Sequence, residues 1–181
     1  MNYKTSLVIV LFAFFAAVPK TAFSQDTVDY RSGKFGIALG VFVPKDSSVK
    51  SAGASQFNTR FTYDFLSAGR SPLSVGLYSD GSYGKKNGSK ATIGGLGLQA
   101  RYRLGQPGLP TMTYVTAGVG TYSVQVDRPS KSKVDEIRLG GHIGLGVQAR
   151  SGLFAEVNYR LVRSAKSIDG SGASFSLGFR F

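Results

Sequence analysis

The chain has 181 residues with no Cys and no Trp, but 13 Phe, 9 Tyr and 24 Gly, and it sets 22 Lys and Arg against 10 Asp and Glu, a formal +12. The length suits one domain, and the missing Cys excludes disulfides and thiolate chemistry. The positive balance fits nucleic acid, an anionic membrane surface or plain solubility, so the distribution of the charge has to decide.

Residues 1–24 differ from the rest. MNYK is a short basic start, SLVIVLFAFFAAV is an unbroken apolar run, and Ala22 and Ser24 are small residues at the −3 and −1 positions of a cleavage point before Gln25. The run falls short of the roughly 20 residues a spanning helix needs, which reads as a secretory signal peptide rather than an anchor. Residues 25–33 are then a short leading segment and residues 34–181 the folded domain. Export makes nucleic acid an unexpected partner, and no groove of interleaved basic and aromatic residues argues otherwise.

Beyond residue 34 the chain alternates with a period of two. The first segment, KFGIALGVFV (34–43), puts Phe35, Ile37, Leu39, Val41 and Val43 on one face. The second, QFNTRFTYDF (56–65), sets Phe57, Phe61, Tyr63 and Phe65 against Asn58, Arg60, Thr62 and Asp64. In the third, LSVGLYSD (73–80), Leu73, Val75 and Leu77 oppose Ser74, Gly76 and Tyr78. The fourth, TIGGLGLQARYRL (92–104), sets Leu96, Leu98, Ala100 and Tyr102 against Gly95, Gly97, Gln99, Arg101 and Arg103. The fifth, TMTYVTAGVGTYSVQV (111–126), is the least regular: Val115, Ala117 and Val119 share a face and the phase blurs after Thr121. The sixth, EIRLGGHIGLGVQAR (136–150), opposes Ile137, Leu139, Ile143, Leu145 and Val147 to Glu136, Arg138, His142 and Gln148. The seventh, LFAEVNYRLV (153–162), opposes Leu153, Val157, Tyr159 and Leu161 to Glu156, Asn158 and Arg160. The eighth, SFSLGFRF (174–181), ends the chain on Phe181.

The connectors alternate in length. AGRSP, GQPGLP and SG are short, whereas PKDSSVKSAGAS, GSYGKKNGSK, DRPSKSKVD and RSAKSIDGSG are longer and polar. Eight strands with short turns at one end and long loops at the other predict an all-β, antiparallel, up-and-down barrel. A soluble barrel of lipocalin type would put the apolar face inside. Eight strands enclose a lumen only just wide enough for side chains, and that many large apolar groups would not fit. With the faces inverted, Gly and polar residues point in and Phe, Leu, Val and Ile meet lipid. Closure then pairs every backbone group without an exposed edge.

Three stretches carry a family resemblance. TYVTAGVGTYSV (113–124), LGGHIGLGVQARSGLFAEVNYRLV (139–162) and the terminal SLGFRF resemble the fifth strand, the penultimate hairpin and the C-terminal assembly signal of the small eight-stranded Gram-negative outer-membrane barrels, the group that includes the OmpA barrel, OmpX and the opacity proteins. The resemblance implies an outer-membrane location, periplasmic termini and short turns, four external loops, and recognition of Phe179 and Phe181 by the outer-membrane assembly machinery. It does not select among adhesins, stability proteins, narrow channels and lipid-modifying enzymes.

Interior charge is expensive unless paired. The inward face is expected to carry Arg60, Asp64, Arg101, Arg103, Arg138, His142, Glu156, Arg160 and Arg180, with Glu136 beside them, and Glu156 is in reach of Arg138 or Arg160. Two readings stand: an ion-pair network that fills the lumen, or a narrow, weakly anion-preferring pore kept open by Gly36, Gly40, Gly95, Gly97, Gly140, Gly144, Gly146 and Gly178. His142 lies inward with Gly140 and Gly144 two residues away, so no nucleophile stands beside it on its face. No metal set, cofactor or catalytic group is expected. The loops carry Lys45, Lys50, Lys85, Lys86, Lys90, Arg128, Lys131, Lys133, Arg163 and Lys166 against Asp46, Asp80, Asp127, Asp135 and Asp169. Such a rim suits the phosphates of lipopolysaccharide or an anionic surface glycan. Tyr63, Tyr102, Tyr122 and Tyr159 are candidates for interfacial girdles, with Tyr122 out of phase. The chain reads as a monomer.

Overall fold

The computed structural model describes residues 34–67, 72–104, 111–129, 131–162 and 168–181. The predicted signal peptide, the segment 25–33 and the turns at 68–71 and 105–110 lie outside them.

Eight antiparallel strands close into one barrel in sequence order: β1 (Phe35–Pro44), β2 (Gln56–Ser67), β3 (Leu73–Lys86), β4 (Ser89–Leu104), β5 (Thr111–Arg128), β6 (Lys131–Ala149), β7 (Leu153–Val162) and β8 (Gly172–Arg180). A single helical turn, α1 (Ser47–Lys50), lies between β1 and β2. Among the described residues no helix is long and apolar enough to cross a membrane. The crossing is made by strands, whose outward positions form the apolar band that lipid requires. Leu39, Leu98, Leu145, Val157 and Leu177 are all at least half exposed.

Closure is made by β1 and β8, in register from Gly36 opposite Arg180 to Pro44 opposite Gly172. One further rung follows. Phe35 N donates to Phe181 O at 3.0 Å and Phe181 N to Phe35 O at 2.9 Å. The Phe181 ring lies on Phe35 (centroids 5.4 Å apart) and stacks on Phe179 (6.2 Å).

The strands are unequal, and this corrects the expected loops. β3 runs to Lys86 and β4 starts at Ser89, so GSYGKKNGSK is mostly ladder around an Asn87–Gly88 turn, with φ of 48° and 77°. Asn-Gly favours this left-handed pair of conformations, which suits a two-residue hairpin. DRPSKSKVD is likewise mostly strand, with Arg128 paired to Lys131 after a register shift. β3 to β6 therefore rise as two long hairpins at the end away from the termini. At that end the β1–β2 connector, with α1, and residues 168–171 lie outside the long hairpins.

Geometric alternation in β5 stays regular past Thr121. Tyr122, Val124 and Val126 are all buried inward. What changes is the chemistry of the two faces, because the strand leaves the apolar band there and its outer side turns to Thr121, Ser123 and Gln125.

Phe181 is more than half exposed and its ring lies against Phe35 and Phe179, while its backbone makes the last rung. Phe181→Ala keeps the rung and removes the ring. It is expected to lower the amount of heat-modifiable protein in the outer-membrane fraction several-fold, yet to leave detergent refolding of the purified chain close to wild type. Equal outer-membrane levels for variant and wild type would refute the assembly role.

Candidate functional site: the filled lumen and the outer rim

The lumen is built in levels. Nearest the termini, Asp64 of β2 accepts from Arg101 of β4 and from Arg180 Nη1 of β8 at 3.1 Å. Arg101 Nε also donates to Ser74 Oγ at 3.3 Å. The two guanidiniums lie over Tyr114 (5.6 Å) and Phe154 (5.4 Å). One level further in, Glu156 of β7 faces Arg60 Nε at 3.4 Å and accepts from Asn158 Nδ2 at 2.6 Å.

Arg60 is the hub of the network. Its Nη1 faces Asp80 Oδ2 at 3.6 Å, and its Nη2 donates to Gln99 Oε1 at 2.9 Å and to His142 Nε2 at 2.6 Å. An accepting Nε2 means the His142 ring is neutral and carries its proton on Nδ1. The ring meets Tyr78 edge-on at 4.5 Å. Arg160 Nη2 takes the other oxygen of Asp80 at 3.3 Å, and Arg160 also donates to Ser82 Oγ and Asn58 Oδ1. The Arg160 guanidinium lies 4.5 Å over the Phe42 ring. Every member of the two clusters is buried.

Above Arg160 the character changes. Phe42, Ala91, Ile93, Tyr122, Val124, Val126 and Val162 pack into an apolar plug, covered by Val49 and Ala52 at α1 and by Ile168. Asp46 caps α1 by accepting from Ser48 N, Gln56 Nε2 donates to Val49 O at 3.1 Å, and Arg128 Nη1 donates to Ser48 Oγ at 3.2 Å. The interior is thus polar in one half and apolar in the other.

The structure brings together Arg60, Asp64, Arg101, His142, Glu156, Arg160 and Arg180. Arg138 stands apart, paired with Glu136 two residues away on β6, and Arg103 is half-buried at the opposite end of the lumen. The expected pairs of Glu156 with Arg138 or Arg160 are not formed. Glu156 lies opposite Gly146, and the β6–β7 ladder ends at Gly140 before reaching Arg138. Glu156 reaches across the lumen to Arg60 instead.

The partner missed in the sequence is Asp80, assigned above to an outer loop. It is 5% exposed and holds two arginines. Its position two residues after inward Tyr78 was the available signal, hidden by the assumption that β3 ended there.

The glycines do not hold the lumen open. A Cβ at Gly97 would come within 2.9 Å of Tyr78 Cε1, at Gly140 within 2.8 Å of Tyr122 Cδ2, and at Gly178 within 2.6 Å of Phe154 Cζ. Gly95 and Gly146 are likewise overlaid by Tyr122 and Tyr114. Each of these five glycines is the socket for a ring from a neighbouring strand, while Gly36, Gly40 and Gly144 lie against Thr62, Ser176 and Asn158. The Tyr78 and Tyr122 hydroxyls meet at 3.0 Å. Tyr122 is therefore an interior residue, whereas Tyr63 and Tyr159 are exposed on the lipid face.

At the rim Lys50, Lys85, Lys86, Lys90 and Lys133 are exposed. Lys45 pairs loosely with Asp169 at 4.0 Å. Lys131 opens β6, Arg128 is tied to α1, and Arg163 and Lys166 lie outside the described residues.

Residues 8–181 match the family model described as outer membrane protein beta-barrel domain. The chain belongs to that family. No curated protein matches it by sequence. Among solved structures, Neisserial surface protein A is 16% identical with a TM-score of 0.59, over 81% of this chain and 95% of that one. The N-terminal barrel of Pseudomonas aeruginosa OprF is 16% identical with a TM-score of 0.51, over 82% and 98%. The outer-membrane enzyme PagL is 13% identical with a TM-score of 0.53, over 81% and 98%. At such identity the likeness is one of fold. The chain is a Gram-negative outer-membrane barrel, and its turn end and termini face the periplasm.

Breaking a buried pair strands a charge and costs about 3–5 kcal/mol. Asp64→Ala strands Arg101 and Arg180, and Asp80→Ala strands Arg160 while leaving Arg60 only Glu156, so each is expected to lower the stability of the micelle-refolded barrel to urea by about that much. Glu136→Ala, at a pair that is partly solvent-exposed, is expected to cost clearly less. Equal costs for all three would refute the division into an inner network and an outer pair.

Proposed function

We propose that this barrel is a closed, non-catalytic surface protein whose lumen is structural filling and whose external rim contacts anionic surface molecules, the phosphates of lipopolysaccharide foremost. The observation that carries the reading is the filling itself. Asp64, Glu156 and Asp80 tie four buried arginines across the lumen, and the plug around Ile93, Val124 and Val126 covers the outer half. With the interior charges engaged in one another, the exposed lysines at the outer end are the charges left to meet a partner. A basic surface beside an anionic leaflet raises the local concentration of phosphate ligands, an effect that weakens with salt.

His142 supports the non-catalytic part. Its Nε2 is taken by Arg60, its Nδ1 has no hydrogen-bond partner among the described residues, and the ring is buried in the lumen. Activating a nucleophile requires a hydroxyl within hydrogen-bond reach of the base.

A passive, weakly anion-preferring channel is the second reading. It is favoured by the excess of buried arginines over buried carboxylates among the described residues, four against three.

The mature protein refolded into planar bilayers is expected to give no stable unitary current. A steady anion-preferring current that disappears in Arg160→Gln would overturn the closed-barrel reading in favour of the channel. The lipid A mass profile of cells with and without the protein is expected to be identical, and a deacylated or newly acylated species that depends on the protein would overturn the non-catalytic reading.

A further inference from the structure

The outward residues of β3 to β6 fall into rows set by the strand register. A row of Leu77, Leu98 and Val119 belongs to the lipid band. Toward the outside follow Ser79, Leu96 and Thr121, then Gly81, Gly94 and Ser123, then Tyr83, Thr92 and Gln125, and finally Lys85, Lys90 and Asp127. The wall of β3, β4 and β5 thus passes from apolar through small and polar to charged. Among the described strands only β3 to β6 rise this far.

At the small-residue level the wall is indented. A depression of about 360 Å³ is bordered by Ser79, Gly94, Leu96, Thr121, Ser123 and Ile137. A Cβ at Gly94 would meet nothing within 4 Å. Ridges stand on both sides. On the β2–β3 side Phe57 lies opposite Tyr83, and both rings are exposed. On the β6 side Ile137 and Leu139 are 77% and 69% exposed, among the most exposed large apolar side chains of the chain.

Above the depression, Lys85 and Lys90 are direct cross-strand partners, both exposed and both on the outer face. Like charges directly opposite each other destabilise a hairpin. The Tyr83 ring lies 5.6 Å from Lys90 Nζ, and Asp127 is the partner of Lys90 on β5, so each offsets part of that repulsion. Among the described residues Lys85 has neither, and an anion between the two ammonium groups would remove the remainder. Gly94 and Lys90 are four residues apart on β4, about 13 Å along the strand, which leaves room for a sugar between an acyl chain and a phosphate.

We propose that this face holds one lipopolysaccharide molecule of the outer leaflet, with an acyl chain in the depression over Gly94 between the two ridges and a phosphate between Lys85 and Lys90. The assignment rests on the rim reading above and narrows it to one face. Charge complementarity and the order of the rows, apolar then small-polar then cationic, select a phosphorylated glycolipid over a protein partner.

The test is native mass spectrometry of the full barrel in nanodiscs made of phosphatidylethanolamine with a minor fraction of lipopolysaccharide. Wild type is expected to carry one tightly retained lipopolysaccharide. Gly94→Phe fills the depression from an outward position with free space, and the double variant Lys85→Gln, Lys90→Gln removes the phosphate clamp. Each is expected to lower retention about tenfold, the loss of roughly one charge-assisted contact or its apolar equivalent. Lys45→Gln with Lys50→Gln, on another part of the rim, is expected to retain the lipid. Unaltered gel mobility shows that the variants fold. If lipopolysaccharide binding is lost in the Lys45/Lys50 variant but not in the Gly94 or Lys85/Lys90 variants, the face is refuted and the rim reading stands. If no variant changes binding, or wild type binds none, both fall. Retention of phosphatidylethanolamine instead, or a chain-to-chain crosslink abolished by Gly94→Phe, would replace the glycolipid with another occupant and overturn the assignment.

Discussion

The rung between Phe35 and Phe181 is the constraint from which the remaining structure follows. In hydrocarbon no water is available to an unpaired amide, so the first and last strands must meet along their length. β1 and β8 do so from Pro44 down to the terminal residue. Closing at eight strands sets a small circumference, and a small circumference sets a lumen that side chains must fill. The glycine sockets and the rings that occupy them are the solution: Tyr78, Tyr114, Tyr122 and Phe154 lie over glycines on neighbouring strands, and Gly118 is the socket of the His142 ring.

The ion pairs follow from the same narrowness. An arginine on one wall reaches a carboxylate on another because the lumen is only a side chain or two across. Arg60 of β2 therefore meets Glu156 of β7 and His142 of β6 across the lumen, as well as Asp80 on neighbouring β3. The network adds specificity to a wall whose outer surface is generic. A register slip of one residue would turn Arg60, Asp80 and Glu156 toward lipid, so buried charge penalises misregistered pairing strongly.

The outer half obeys a second solvent. Where β4 and β5 leave the apolar band, their outward positions become Gly94, Thr92, Thr121, Ser123 and Gln125 and their inward positions become Ile93, Val124 and Val126. The same strand is inside-out in lipid and conventional in water, and the exchange takes place within two or three residues. The depression over Gly94 and the lysine pair above it sit at this crossover. Small residues suffice there because neither lipid packing nor a solvated surface demands a large side chain.

Read alone, the chain determined the strand count, the antiparallel order, the face toward lipid and most of the buried charges, because each depends on local alternation and on how many large side chains eight strands can enclose. Arg60, Asp64, Arg101, Glu156, Arg160 and Arg180 were legible as inward for that reason. Which carboxylate meets which arginine was decided by the tertiary structure, since within the inner network all but the Arg60–Asp80 pair on neighbouring β2 and β3 cross the lumen between strands that are not neighbours. The length of the β3–β4 hairpin is signalled by Asn87–Gly88, but the burial of Asp80 is not, because the apolar alternation of β3 stops before the strand does. The inversion at Thr121 was hidden for the same reason. Period-two hydrophobicity reports the solvent on each face as well as the geometry of the strand, and only the closed barrel shows where lipid gives way to water.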